Sequence, residues 1–199
     1  MTTEDEVVHP WLESSRETAF RSRVFDVAKV ERTEASSEPQ PRRGEFYVLE
    51  APDWVNVVAL TPERDLVLVE QWRHGVQRPT LEIPGGMVDP GEDPLEAAQR
   101  ELREETGYVS TRWTPLGVID PNPAIQANRC FTFLAEEARR VEAPRFDGHE
   151  RCRLVLASAA DAGALVASGR ITHALVVVAL HFAHLREEGY ALPPPRPPR

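Results

Sequence analysis

The sequence predicts an α/β (α+β) fold, either an α+β domain or one of layered α/β/α type. Three observations carry that expectation. Short runs rich in β-branched and aromatic residues recur from Val24 to Leu156, a helix with both ends marked lies among them at Pro94–Thr106, and two further helical stretches close the chain. At 199 residues the chain has room for one compact domain with added elements.

Residues 1–15 are polar and acidic and read as a flexible end. Residues 16–52 read as a β extension: Val24-Phe25-Asp26-Val27 and Phe46-Tyr47-Val48-Leu49 are two strands, joined by a long loop rich in Ser, Pro and Arg over 34–44. The main domain is expected over 53–190. It opens with strands at Trp54–Leu60 and Leu66–Arg73, and the turn Thr61–Asp65 between them predicts a hairpin. Leu81-Glu82-Ile83 is a short strand running into Pro84-Gly85-Gly86, read as a bend. After the helix come strands at Trp113–Ile119, Arg129–Ala135 and Arg153–Leu156, then helices at Ala159–Ser168 and His173–Glu188. Residues 191–199 form a proline-rich tail, expected to be disordered because proline lacks the N–H that helices and central strands need.

Composition narrows the partners. The 41% hydrophobic and 28% charged fractions are those of a soluble globular protein. A net charge of −9 disfavours a nucleic-acid-coating role, yet allows a small phosphorylated substrate where a bound cation reverses the local field. Cys130 and Cys152 read as reduced thiols, the first residues lack the pattern of a secretion signal, and no apolar run spans a bilayer. A cytoplasmic protein with no membrane partner is expected.

The helix at Pro94 carries the chemistry. Asp93 suits the N-cap, Pro94 the first turn, Glu96 completes a capping-box pattern, and Gly107 is a natural stop. Leu95, Ala98 and Leu102 mark its buried face. Glu101, Glu104 and Glu105 project from neighbouring positions of one surface. Their mutual repulsion becomes favourable where a hard cation sits among them, because carboxylate oxygens are the ligands Mg²⁺ prefers. A bare acidic helix face is ordinarily just solvated. Here, however, Gly85-Gly86 allows a backbone carbonyl to face the same cation, Gly91 allows a second sharp turn, and Glu92 is placed to pair with Arg100.

Gly86, five residues, Glu92, seven residues, then Arg100-Glu101-Leu102-Arg103-Glu104-Glu105-Thr106-Gly107 resembles the Nudix box, with Tyr108 where that family usually has an aliphatic residue. The resemblance implies a three-layer α/β/α sandwich around a mixed sheet. It implies Glu101, Glu104, Glu105 and the Gly85 carbonyl as ligands of Mg²⁺ or Mn²⁺, and Gly86, Glu92, Arg100 and Gly107 as structural members of the box. Outside the box, Val69-Glu70-Gln71-Trp72-Arg73, Leu81–Gly86 and Pro123 resemble the ADP-ribose and nucleoside-diphosphate-sugar pyrophosphatase branch. That branch implies hydrolysis of a nucleotide sugar to a nucleoside monophosphate and a sugar phosphate. It also implies a homodimer exchanging N-terminal strands.

Glu150 matches the branch's loop glutamate and is the candidate base, with Glu104 and Glu105 the other catalytic candidates and Glu136 and Glu137 in reserve. Arg73, Glu82 and Pro123 are the candidate substrate contacts. Other phosphoanhydrides (nucleoside triphosphates, dinucleoside polyphosphates, capped RNA) are the alternative substrates. A binding module that has lost catalysis is disfavoured, because all four box glutamates are present.

Overall fold

A computed structural model describes residues 8–36, 39–145 and 152–192. The chain divides into two compact units, Met1–Pro52 with Asn122–Asn128, and Asp53–Pro121 with Arg129–Arg199.

In the first unit, β1 (Trp11–Arg21), β2 (Asp26–Glu34) and β3 (Arg43–Glu50) form an antiparallel sheet in the order β1-β2-β3. β1 corrects the sequence reading, which left residues up to 15 as a flexible end. Nearly all of β1 is exposed, so no alternation of apolar residues announces it. Its backbone pairing with β2 holds it, from Trp11 opposite Glu34 to Arg21 opposite Asp26. Val24 and Phe25 were expected in a strand but lie in the turn before β2, where the Ser22 hydroxyl donates to the Phe25 carbonyl. The segment Asn122–Asn128 joins this unit because Leu49 N–H donates to Ile125 and Ala127 N–H donates to Leu49.

The second unit holds the remaining elements: β4 (Trp54–Ala59), β5 (Asp65–Arg73), β6 (Arg78–Glu82), β7 (Gly85–Met87), α1 (Pro94–Thr106), β8 (Tyr108–Val109), β9 (Arg112–Ile119), β10 (Cys130–Glu136), β11 (Arg139–Arg140), β12 (Cys152–Ser158), α2 (Ala162–Ala167) and α3 (Ala174–Glu187). One sheet is mixed, in the order β7-β4-β10-β9, with β4 and β10 parallel. A second is antiparallel, in the order β12-β5-β6. The expected hairpin of Trp54–Leu60 with Leu66–Arg73 is therefore wrong. The turn between them exists, with Arg64 in the left-handed region at φ 68°, but apart from one bridge between Leu60 and Leu66 the two strands enter different sheets. β4 is buried along almost its whole length and β5 at Leu66–Val69, and each finds a partner distant in sequence, β10 for β4 and β12 for β5.

Near-continuous apolar runs mark strands covered on both faces. Along β4, Val55, Val57 and Ala59 pack with Ala97, Ala98 and Leu102 of α1, whereas Val58 and Leu60 pack with Val176 and Ala179 of α3. β10 divides likewise, Phe131 and Phe133 joining the first cluster and Leu134 the second. Helices thus cover both faces of the strands, giving the three-layer α/β/α sandwich. Tyr108, the one departure from the box, is buried in the α1 cluster. Cys130 is buried in β10, and burial pushes its thiol up to about 12, as expected for a core cysteine. Among the described residues, no helix is long and apolar enough to cross a membrane.

Candidate active site

The site is built on α1 and the β7 backbone. α1 spans the stretch expected from its signals: the Asp93 carboxylate accepts from Leu95 N–H at 2.8 Å, and Gly107, at φ 74°, donates its N–H to the Arg103 carbonyl at 2.8 Å. A side chain at Gly107 would also strike the Glu142 carbonyl, so this position needs glycine twice over.

Gly85 and Gly86, expected in a bend, are the first residues of β7 and pair with Asn56 and Val55 of β4. That pairing lays their backbone against α1. A Cβ on Gly86 would fall on the Glu101 carboxylate, and Gly85 N–H donates to Glu105 Oε2 at 3.0 Å. Two box carboxylates therefore flank one Gly-Gly backbone, Glu105 buried and Glu101 partly so. Glu104 stands at the outer edge with about half of its side chain exposed.

Arg100 holds this arrangement. Its Nε and Nη2 bind the two oxygens of Glu92 at 2.9 Å each, Nη2 also donates to the Met87 carbonyl at 2.9 Å, and Nη1 reaches Glu101 at 2.7 Å and Glu104 at 3.4 Å. The two-pronged bond holds the Glu92 carboxyl below the usual carboxylate range and raises Arg100 further above its own. One guanidinium thus ties loop 87–92 to the helix and offsets the repulsion between its carboxylates.

Among the described residues, no three metal-binding side chains are gathered tightly enough to grip an ion. The donor set nevertheless fits a hard divalent cation: it is all oxygen, and Glu101 and Glu105 flank a backbone stretch that carries no side chain.

Beside Glu105 lies a second charged unit. Arg73 binds Glu82 through Nε at 2.8 Å and Nη2 at 2.7 Å, and the Thr80 hydroxyl donates to the same carboxylate at 2.5 Å. Glu82 is only 2% exposed, so these bonds are what make its charge tolerable. Burial works to raise its carboxyl, but the bonds from Arg73 and Thr80 outweigh burial and leave it below its ordinary value. A lowered carboxyl adds stability that is present above its unfolded value, near 4.5, and lost as pH falls through the folded value. Glu82→Gln is accordingly expected to flatten the acid limb of a urea-denaturation series run from pH 6 to pH 3. A variant with the wild-type acid slope would refute this.

The other candidates are placed less centrally. Pro123 belongs to the first unit. Glu150 lies outside the described residues. Glu136 and Glu137 pair with Arg112. Glu136 stands four residues along β10 from Thr132, the neighbour of Asn56, and so roughly 13 Å from the Gly85 end of the strands at about 3.3 Å per residue. Sequence reasoning missed Cys152, whose Sγ lies 4.0 Å from Glu105 Oε1. Only the register of β12 on β5, which sets Cys152 opposite Gln71, brings it there.

A Gly-Gly strand flanked by helix carboxylates, in an α/β/α sandwich, is the arrangement that the box resemblance implies. Residues 50–175 match the NUDIX domain, and the chain belongs to the Nudix family. It is similar to the ADP-ribose pyrophosphatase of Bacillus subtilis (strain 168), 31% identical over 174 residues that cover 87% of this chain and 92% of that one. It is also similar to the ADP-ribose pyrophosphatase of Mycobacterium tuberculosis (strain H37Rv), 31% identical over 144 residues, 71% of this chain and 69% of that one. In fold it resembles the crystal structure of an ADP compounds hydrolase, with a TM-score of 0.79 at 24% identity over 92% of this chain and 98% of that one. The chain is a pyrophosphohydrolase of this family, whose members generally need a divalent metal.

Proposed function

We propose that the protein hydrolyses the pyrophosphate bond of nucleoside diphosphate sugars of the ADP-ribose kind, giving a nucleoside monophosphate and a sugar phosphate. The observation that carries the chemistry is the Gly85-Gly86 backbone held between Glu101 and Glu105. Likeness to ADP-ribose pyrophosphatases over most of the chain supports the substrate class.

In this reading Glu101, Glu104, Glu105 and the Gly85 carbonyl hold Mg²⁺, with Mn²⁺ as a substitute. When bound, the cation neutralises pyrophosphate charge and lowers the pKa of the attacking water. Arg100 and Glu92 keep the loop and helix in register throughout. Glu150 takes the proton from water. Arg73 keeps its grip on Glu82 through Nε and Nη2 and offers Nη1 to a phosphate oxygen, while Glu82 bounds the substrate. The protein works in the cytoplasm, where Cys130 and Cys152 stay reduced. It works as a homodimer through the N-terminal sheet, where Leu12, Phe20 and Tyr47 are exposed. Light scattering that returned the 22.3 kDa mass of one chain would remove the dimer.

The test is incubation with Mg²⁺ and a panel of ADP-ribose, ADP-glucose, GDP-mannose, UDP-glucose, nucleoside triphosphates and diadenosine polyphosphates, with products separated by chromatography. Release of a nucleoside monophosphate from the diphosphate sugars is expected. Turnover of triphosphates or diadenosine polyphosphates alone would overturn the substrate class and leave the family intact.

A further inference from the structure

We propose that Cys152 is a positioning residue for Glu105, a role that rests on the reading of Glu105 as a metal ligand. The two oxygens of the Glu105 carboxylate meet donors from different strands. Gly85 N–H, on β7, donates to Oε2 at 3.0 Å, and the Cys152 thiol, at the start of β12, donates to Oε1 from 4.0 Å. Both act on a buried carboxylate in the last turn of α1 and bias its orientation.

The two donors reach the site by different routes. β7 is pinned by its pairing with β4, and β12 by its pairing with β5, in which Cys152 lies opposite Gln71 two residues before Arg73. Arg73 is close enough to feel the charge of Glu105, so the carboxylate that the Cys152 thiol meets belongs to a wider charged cluster. A donor that orients a ligand carboxylate acts without touching the ion. Outer partners of this kind are typically worth about 10- to 100-fold in metal affinity or activity. A thiol is a weak donor, so the lower end of that range is expected.

The experiment compares Cys152→Ser, Cys152→Ala and Glu105→Gln in the full chain. It reads Mn²⁺ affinity by electron paramagnetic resonance in the absence of substrate, and kcat and KM separately. Serine keeps a donor and alanine removes it at a similar small size. Expected are a Cys152→Ala protein with Mn²⁺ affinity and kcat each reduced roughly fivefold to tenfold at nearly unchanged KM, and a Cys152→Ser protein close to wild type. If alanine binds Mn²⁺ and turns over like wild type while Glu105→Gln is crippled, the positioning role is overturned and the metal-ligand reading survives. If serine falls as far as alanine, hydrogen bonding is not what the thiol supplies, and the inference is equally overturned. If Glu105→Gln itself binds and turns over normally, the ligand reading fails first and takes this inference with it.

Discussion

Glu105→Gln is expected to lose most activity, about 10²- to 10³-fold in kcat, while folding normally. The size follows from what the charge does. A carboxylate holding a catalytic cation supports several kcal/mol of transition-state charge stabilisation, and each 1.36 kcal/mol is tenfold in rate. Folding survives because glutamine has the same shape, and its carbonyl oxygen can still accept the Gly85 N–H. The substitution also removes one of three crowded negative charges from α1. The measurement is a thermal melt beside steady-state kinetics on ADP-ribose. A melt close to wild type with turnover also close to wild type would remove Glu105 from the mechanism.

Gly86→Ala is the second large effect, and its origin is steric. The added methyl would occupy the place of the Glu101 carboxylate. Either Glu101 swings out of the site or β7 lifts from Val55 of β4, and both outcomes disturb the backbone proposed to face the metal. A fall in turnover of about 100-fold is expected, with a loss of stability of about 1–3 kcal/mol from overpacking. Gly91→Ala is the matched control. Gly91 has φ 84°, so alanine is strained there by about 1–2 kcal/mol, but its Cβ would meet nothing within 4 Å. That variant should be less stable and still active. Equal losses of activity in the two variants would mean that backbone strain, not the contact with Glu101, governs the site.

What could be read from the sequence was what is encoded locally. α1 was legible from end to end because its cap, its apolar spacing and its left-handed stop all lie within fifteen consecutive residues, Asp93–Gly107. The pairing of Glu92 with Arg100 was legible for the same reason. β1 was not, since a strand exposed on both faces has no pattern to show and depends on β2 for its existence. The β4–β5 hairpin was misread because nearness along the chain suggested pairing, whereas β4 pairs with β10 and β5 with β6 and β12, in different sheets. Arg73 and Glu82 were each singled out but not as a pair, because their bond depends on how β5 and β6 turn their side chains. Cys152 carried no local signal at all.

The grip of Arg100 on Glu101 and Glu104 has a consequence for how the protein matures. A helix with three carboxylates on one side carries a mutual repulsion that opposes its formation. Here the chain brings its own counterion, built into the sequence one residue before Glu101. The box helix can therefore form on the nascent protein before any metal arrives. If Glu101 and Glu104 hold a cation as proposed, its loading is an exchange, in which the ion takes over oxygens that a guanidinium has been holding. Chelators should strip such a protein of activity without unfolding it, and its abundance in a cell need not follow the supply of divalent ions.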